Sequence, residues 1–142
     1  EVLAVVLHSG ELVICDVARW MSPAGGSNKL TPTSMTVSRD WIHAMAYSPD
    51  GDFLAVGSND HNIYILNTTA YSQCAILKGH RNHVTQLDWS IDSTTLQSNC
   101  GDHDLKFWDA RFGKQKQIRP VAARDKAWER HTCVYGWPIL GV

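Results

Sequence analysis

The chain has 142 residues, a formal net charge of -1, 44% hydrophobic residues and six tryptophans, a composition that suits a soluble, globular, β-rich protein. No apolar run approaches the roughly 18 residues needed to span a membrane; Val2 to Leu7 is a strand's worth. The near-zero charge, with no RNA-binding motif, argues against nucleic acid as a partner.

Two short apolar runs open the chain. Leu3-Ala4-Val5 matches Leu54-Ala55-Val56, and Leu12-Val13-Ile14 matches Ile63-Tyr64-Ile65, both at an offset of 51 residues. Residues 1–38 are therefore expected to be the back half of one repeat unit plus an inserted loop. The stretch Trp20 to Thr33, with Pro23, Gly25-Gly26, Ser27, Asn28 and Pro32, has turn composition and no periodicity. Its extra length is expected between the first unit and the next, as an exposed loop at a unit's edge.

The second unit, residues 39–78, is defined by a shift of 42 residues that lays Trp41 to Asn67 over His83 to Asp109. Ser48 meets Ser90, Asp50 meets Asp92, Leu54 meets Leu96, and Asp60-His61 meets Asp102-His103. A period of this length is that of a propeller blade. Ser48-Pro49-Asp50-Gly51 is a tight-turn signal, because proline presets φ and glycine relieves the last position. Strands are expected over Ile42 to Tyr47, Phe53 to Ser58, Asn62 to Asn67 and Gln73 to Leu77. Set against the unit that follows, this one keeps only Asp60 of a polar network, with Val56 and Leu66 in place of a Ser and a Trp. Apolar packing is expected to hold it.

The third unit, residues 79–123, begins with Gly79-His80 and carries Leu105-Lys106-Phe107-Trp108-Asp109 near its end. A Gly-His followed roughly 30 residues later by Trp-Asp marks the WD-type blade, a four-stranded antiparallel sheet. The fold class is accordingly an all-β, WD-type β-propeller, represented by about three blades of a larger one. In such a blade His80, Ser98, Asp102 and Trp108 are expected to form a buried hydrogen-bond network, with His80 bonded to Asp102. The same letters would suit a His/Asp/Ser catalytic set, but a nucleophile needs an exposed Oγ and an oxyanion hole, and Ser98 is expected to point into the blade. With no phosphate loop, nucleophile elbow or paired catalytic carboxylates, no catalytic or cofactor-binding residue is assigned and the chain is read as no enzyme.

Cys15, Cys74, Cys100 and Cys133 lie far apart with no C-x-x-C pair, so no metal site is assigned and buried, reduced thiols are expected. His61 and His103 are read as exposed turn histidines of successive blades. From Arg111 to Arg130 seven cations face only Asp125 and Glu129. Arg111, Lys114, Lys116 and Arg119 are the candidate contacts for an acidic partner on a basic outer strand and loop. Residues 124–142 are expected to start the next blade. Glu1 already stands inside a strand-like run, so the rest of the propeller is expected outside this chain.

The run Arg124-Asp125-Lys126-Ala127-Trp128-Glu129, His131-Thr132-Cys133, Gly136-Trp137 and Gly141-Val142 is not a generic WD pattern. It resembles the second propeller of the echinoderm microtubule-associated protein-like family, as do Leu87-Asp88-Trp89-Ser90, Ser98-Asn99 and Gly101-Asp102 before it; Trp137-Pro138 departs from the pattern. The resemblance covers essentially the whole chain. It implies a non-enzymatic scaffold that binds tubulin in microtubules or other microtubule-associated proteins, in the cytoplasm, the spindle or the axoneme of a cilium. It assigns no tubulin-contacting residue. The competing reading is a WD-repeat adaptor for another client, such as a ligase substrate receptor or a transport complex.

Overall fold

A computed structural model describes residues 2–16, 32–118 and 120–135. Arg119, most of the Trp20 to Thr33 stretch and the Gly136 to Val142 part of the family-like run lie outside the described residues.

Three antiparallel sheets follow one another along the chain. The first holds β1 (Val2–Val6), β2 (Glu11–Asp16) and β3 (Thr33–Thr36). The second holds β4 (Ile42–Tyr47), β5 (Phe53–Ser58), β6 (Asn62–Asn67) and β7 (Gln73–Lys78) in that spatial order. The third holds β8 (Val84–Trp89), β9 (Leu96–Cys100), β10 (Leu105–Asp109) and β11 (Lys114–Gln115), and a short helix α1 (Pro120–Arg124) follows. The strands of the second sheet fall where the repeat places them.

Local chemistry explains why the hairpins recur. Ser48 Oγ accepts the Phe53 amide at 3.0 Å, and the Gly51 amide reaches the Ser48 carbonyl at 2.9 Å, with Gly51 at φ +80°. The third sheet repeats the turn 42 residues on. Ser90 Oγ accepts the Thr95 amide at 3.0 Å, and Ser93 takes the glycine's place at φ +56°. The cost of that left-handed serine is offset by use, since Ser93 Oγ accepts the Asp50 amide from the neighbouring blade at 3.0 Å. The β5–β6 and β9–β10 turns match in the same way, with His61 at φ 71° and His103 at φ 62°, both exposed.

The sheets stack face to face. Ala55, Ile63, Ile65 and Leu77 of the second sheet pack with Val84, Leu87, Trp89, Leu96 and Trp108 of the third. Ala4 and Leu12 of the first pack with Leu54, Val56 and Leu66 of the second. Each fully buried aliphatic side chain contributes about 1.5 to 3 kcal/mol. The Trp89 indole also donates to the Ala46 carbonyl at 3.0 Å, tying two blades through a polar bond inside the apolar layer.

Three expectations are corrected. Thr33–Thr36 pairs with β2 in the register Leu12↔Met35, so the extra length lies within the first sheet, in the β2–β3 connection, rather than between units. Cys15 is half-buried and Cys74 exposed, because β7 is the outer edge of its sheet, while Cys100 and Cys133 are buried. The basic stretch is only briefly a strand: β11 has two residues, and the helix-forming Ala122 and Ala123 then favour a turn of helix.

Candidate functional site

The buried polar centre of the third blade joins His80, in the connection before β8, to Ser98 on β9 and Trp108 on β10. Ser98 Oγ lies 2.6 Å from His80 Nε2 and accepts the Trp108 indole N–H at 2.7 Å, and Ser98 is fully buried. Burial, with the Lys106 cation next in weight and Asp104 opposing, lowers the His80 pKa to about 4, so the imidazole is neutral. Asp102 does not join them. Its Oδ1 accepts from Asn82 Nδ2 at 2.6 Å on the exposed rim, and His80 Nδ1 has no partner among the described residues. The expected His80–Asp102 bond is thus replaced, because Asn82 holds the carboxylate where water still reaches it and no charge need be buried.

The second blade is not held by apolar packing alone. Ser38 stands where the repeat places His80 in the next blade, and its Oγ lies 2.7 Å from Ser58 Oγ and 3.1 Å from Asp60 Oδ2. Tyr64 donates its hydroxyl to Asp60 Oδ2, and the Asn62 amide reaches Asp60 Oδ1 at 3.0 Å. Burial raises the Asp60 pKa, but the bonds from Tyr64, Asn62 and Ser38 outweigh it and the net shift is downward. A substitute network therefore replaces the expected loss. The signal was present in the 42-residue spacing from Ser38 to His80, but a serine alone does not announce a partner.

On the opposite rim lies the basic edge. Arg111 Nη2 stands 3.3 Å from Asp50 Oδ2 of the preceding blade, with its guanidinium carbon 6.0 Å from the Phe53 ring centroid, and half of its side chain stays exposed. Lys116 Nζ donates to Thr95 Oγ1 at 3.3 Å. Lys126 Nζ is 3.0 Å from Asp92 Oδ2, and Arg124 pairs with Asp125. Lys116 and Lys126 border an open hollow of about 480 Å³ floored by Ile118 and Ala122. Lys114, on β11, is exposed and has no side-chain partner among the described residues. Arg111 and Lys126, two of the seven cations, are thus ion-paired to carboxylates outside the stretch, which the linear sequence does not reveal.

The sequence matches the family described as the echinoderm microtubule-associated protein second beta-propeller over residues 1–142. The chain belongs to that family. Among individual relatives, it is 41% identical over 145 residues to the 77 kDa echinoderm microtubule-associated protein of Strongylocentrotus purpuratus, covering 99% of this chain and 20% of that one. It is 42% identical over 115 residues to the ciliary WD repeat-containing protein ctxp80 of Euplotoides octocarinatus, covering 81% and 16%. The chain thus spans a fifth or less of the length of these relatives. The fold is likewise shared with the solved structure of U3-55K, a propeller, at a TM-score of 0.70 and 18% identity, over 82% of this chain and 35% of that one. Within the family's propeller, the Arg124 to Tyr135 segment docks along β8. The Glu129 amide reaches the Trp89 carbonyl at 2.8 Å, the Arg130 amide reaches Asp88 Oδ1 at 3.0 Å, and Thr132 Oγ1 donates to the Leu87 carbonyl at 2.6 Å. The part of the family-like run that is described therefore lines the inner strand of the third blade.

Proposed function

We propose that this chain is part of a non-enzymatic WD-repeat scaffold that associates with microtubules, binding the tubulin lattice or microtubule-associated proteins, axonemal ones included, in the cytoskeleton of the cytoplasm or cilium. Membership of the microtubule-associated family along the whole chain carries this reading. Tubulin surfaces are acidic, and Lys114 with the half-exposed Arg111 offers the contact on this edge. The alternative, an adaptor for a non-microtubule client, draws on the internal pairing of Arg111, Lys116 and Lys126, which leaves fewer charges for a partner.

The test is co-pelleting of the full-length protein with polymerised tubulin across a salt series, beside a variant with Arg111, Lys114, Lys116 and Arg119 changed to Glu. The parent should pellet and release as salt rises, since exposed charges are screened beyond about 8 Å at physiological ionic strength. The variant should bind several-fold more weakly. Equal binding by both moves the contact to another surface, and no binding by either favours the adaptor.

A further inference from the structure

The two faces of the third blade differ in kind. Leu87 and Trp89 of β8 pair with Ser98 and Leu96 of β9 and face the second blade, where Leu87, Trp89 and Leu96 pack in the core. By strand alternation the pairs between them, Gln86 with Asn99 and Asp88 with Gln97, face the other way. Residues 126–135 lie across that polar face as a strap. At its first end the strap pairs with the strand backbone: the Ile91 amide reaches the Ala127 carbonyl at 3.0 Å, and Trp128 bridges Ser90. Beyond Glu129 the bonding changes. The amides of Arg130, Val134 and Tyr135 are accepted by side chains, Asp88 Oδ1 at 3.0 Å, Gln86 Oε1 at 3.1 Å and Asn99 Oδ1 at 3.1 Å, and His131 turns the run out of strand geometry at φ 54°. Thr132 Oγ1 donates to the Leu87 carbonyl at 2.6 Å, and the Cys133 thiol donates to the Gln97 carbonyl at 3.6 Å. Cys133 and Trp128, which stacks on Phe107 at 5.9 Å between centroids, are the strap's two buried side chains.

This bonding separates the strap's fate from the blade's. A bond to a side-chain acceptor is lost by rotating that side chain, whereas β8, β9 and β10 hold one another backbone to backbone. Lifting the strap hands Asp88, Gln97 and Asn99 to water, which satisfies them, while the apolar side chains of β8 stay packed on the second blade. The docked state also carries a cost. Asn99 is fully buried, yet its Nδ2 has no hydrogen-bond partner among the described residues, and an unmet donor is answered once the strap lifts. Segments with few buried apolar contacts open without global unfolding. We infer that residues 126–135 form a releasable latch, which undocks as a unit while β8, β9 and β10 remain paired. Release bares the inner edge of β8, where the Leu87 and Trp89 carbonyls lose Thr132 and Glu129, and it exposes the Cys133 thiol. The inference does not depend on the microtubule reading.

Two buried cysteines, one on each part, supply the test. Cys133 sits on the inner side of the strap, and Cys100 lies within the β8–β9 ladder opposite Val84; exposed Cys74 marks the unhindered rate. The full-length protein is labelled with N-ethylmaleimide in a series of urea concentrations below unfolding, and each site is read by peptide mass mapping. Burial, with Asp88 next in weight, raises the Cys133 pKa, so the docked thiol is protonated as well as shielded and reacts through the open form. Cys133 should react roughly tenfold faster than Cys100, or more, and with a weaker urea dependence, because its opening exposes less surface. Thr132→Val and, separately, Gln86→Met should each speed Cys133 labelling about fivefold, the loss of one hydrogen bond, and leave Cys100 unchanged. Equal rates and urea dependence for the two buried thiols, variants that leave Cys133 unchanged or speed both alike, or Cys133 reacting at the Cys74 rate in the native protein would each overturn the inference.

Discussion

Ser98 carries two buried nitrogens, the Trp108 indole at 2.7 Å and His80 Nε2 at 2.6 Å. Ser98→Ala strands both, and an unsatisfied buried group costs about 1 to 3 kcal/mol. The expected loss is about 3 kcal/mol, read in the full-length protein as faster hydrogen exchange of the β8 to β10 amides. The same network makes stability depend on pH. Burial holds His80 to a folded pKa of about 4 against the ordinary histidine value of 6.5, so below the latter the unfolded chain takes a proton that the folded chain refuses. Its contribution is full above pH 6.5, falls as pH drops towards about 4, and does not change further below that. His80→Gln should flatten protection measured between those limits. The members Ser98 and Trp108 were legible in the sequence because both lie on strands whose alternation sets their direction. Asp102 was not, because at an exposed turn Asn82 competes for its carboxylate and nothing in the spacing ranks that donor above His80.

Between blades, close approach is the governing constraint. A Cβ on Gly57 would lie 2.7 Å from Val84 Cγ1 and 3.1 Å from Val84 Cβ across the interface of the second and third sheets. Gly57→Ala should therefore destabilise by about 1 to 3 kcal/mol through overpacking. Adding Val84→Ala should recover part of that in chemical denaturation of the full-length protein; strictly additive losses would show that the two positions do not meet. The strands on either side were readable because apolar residues, Ser-Pro-Asp-Gly turns and the 42-residue repeat agree. Strand β3 escaped because Thr33–Thr36 is only four residues long, too short to display a period, and its identity comes from its partner in β2.

For the molecule as a whole, a segment of residues 1–142 in isolation leaves an apolar face bare. Val2 is 47% exposed, Leu3 53%, Val5 40% and Leu7 42%, all in β1 or its end, and repeat units bury such faces only against neighbours. Expressed alone, it should aggregate, seen as concentration-dependent light scattering; a soluble monomer with a cooperative melt would refute this. Repeat period, turn chemistry, the strand positions of the second blade and the Ser98–Trp108 part of the buried polar centre are determined by the sequence itself, because each depends on neighbours within a few residues or on a regular offset. Which charges are free was decided only by the tertiary structure. Arg111 finds Asp50, Lys126 finds Asp92, and Arg39 and Arg81 find nothing among the described residues. Long, flexible side chains choose partners by distance in space, and stacking of the sheets sets that distance between residues 34 to 61 positions apart.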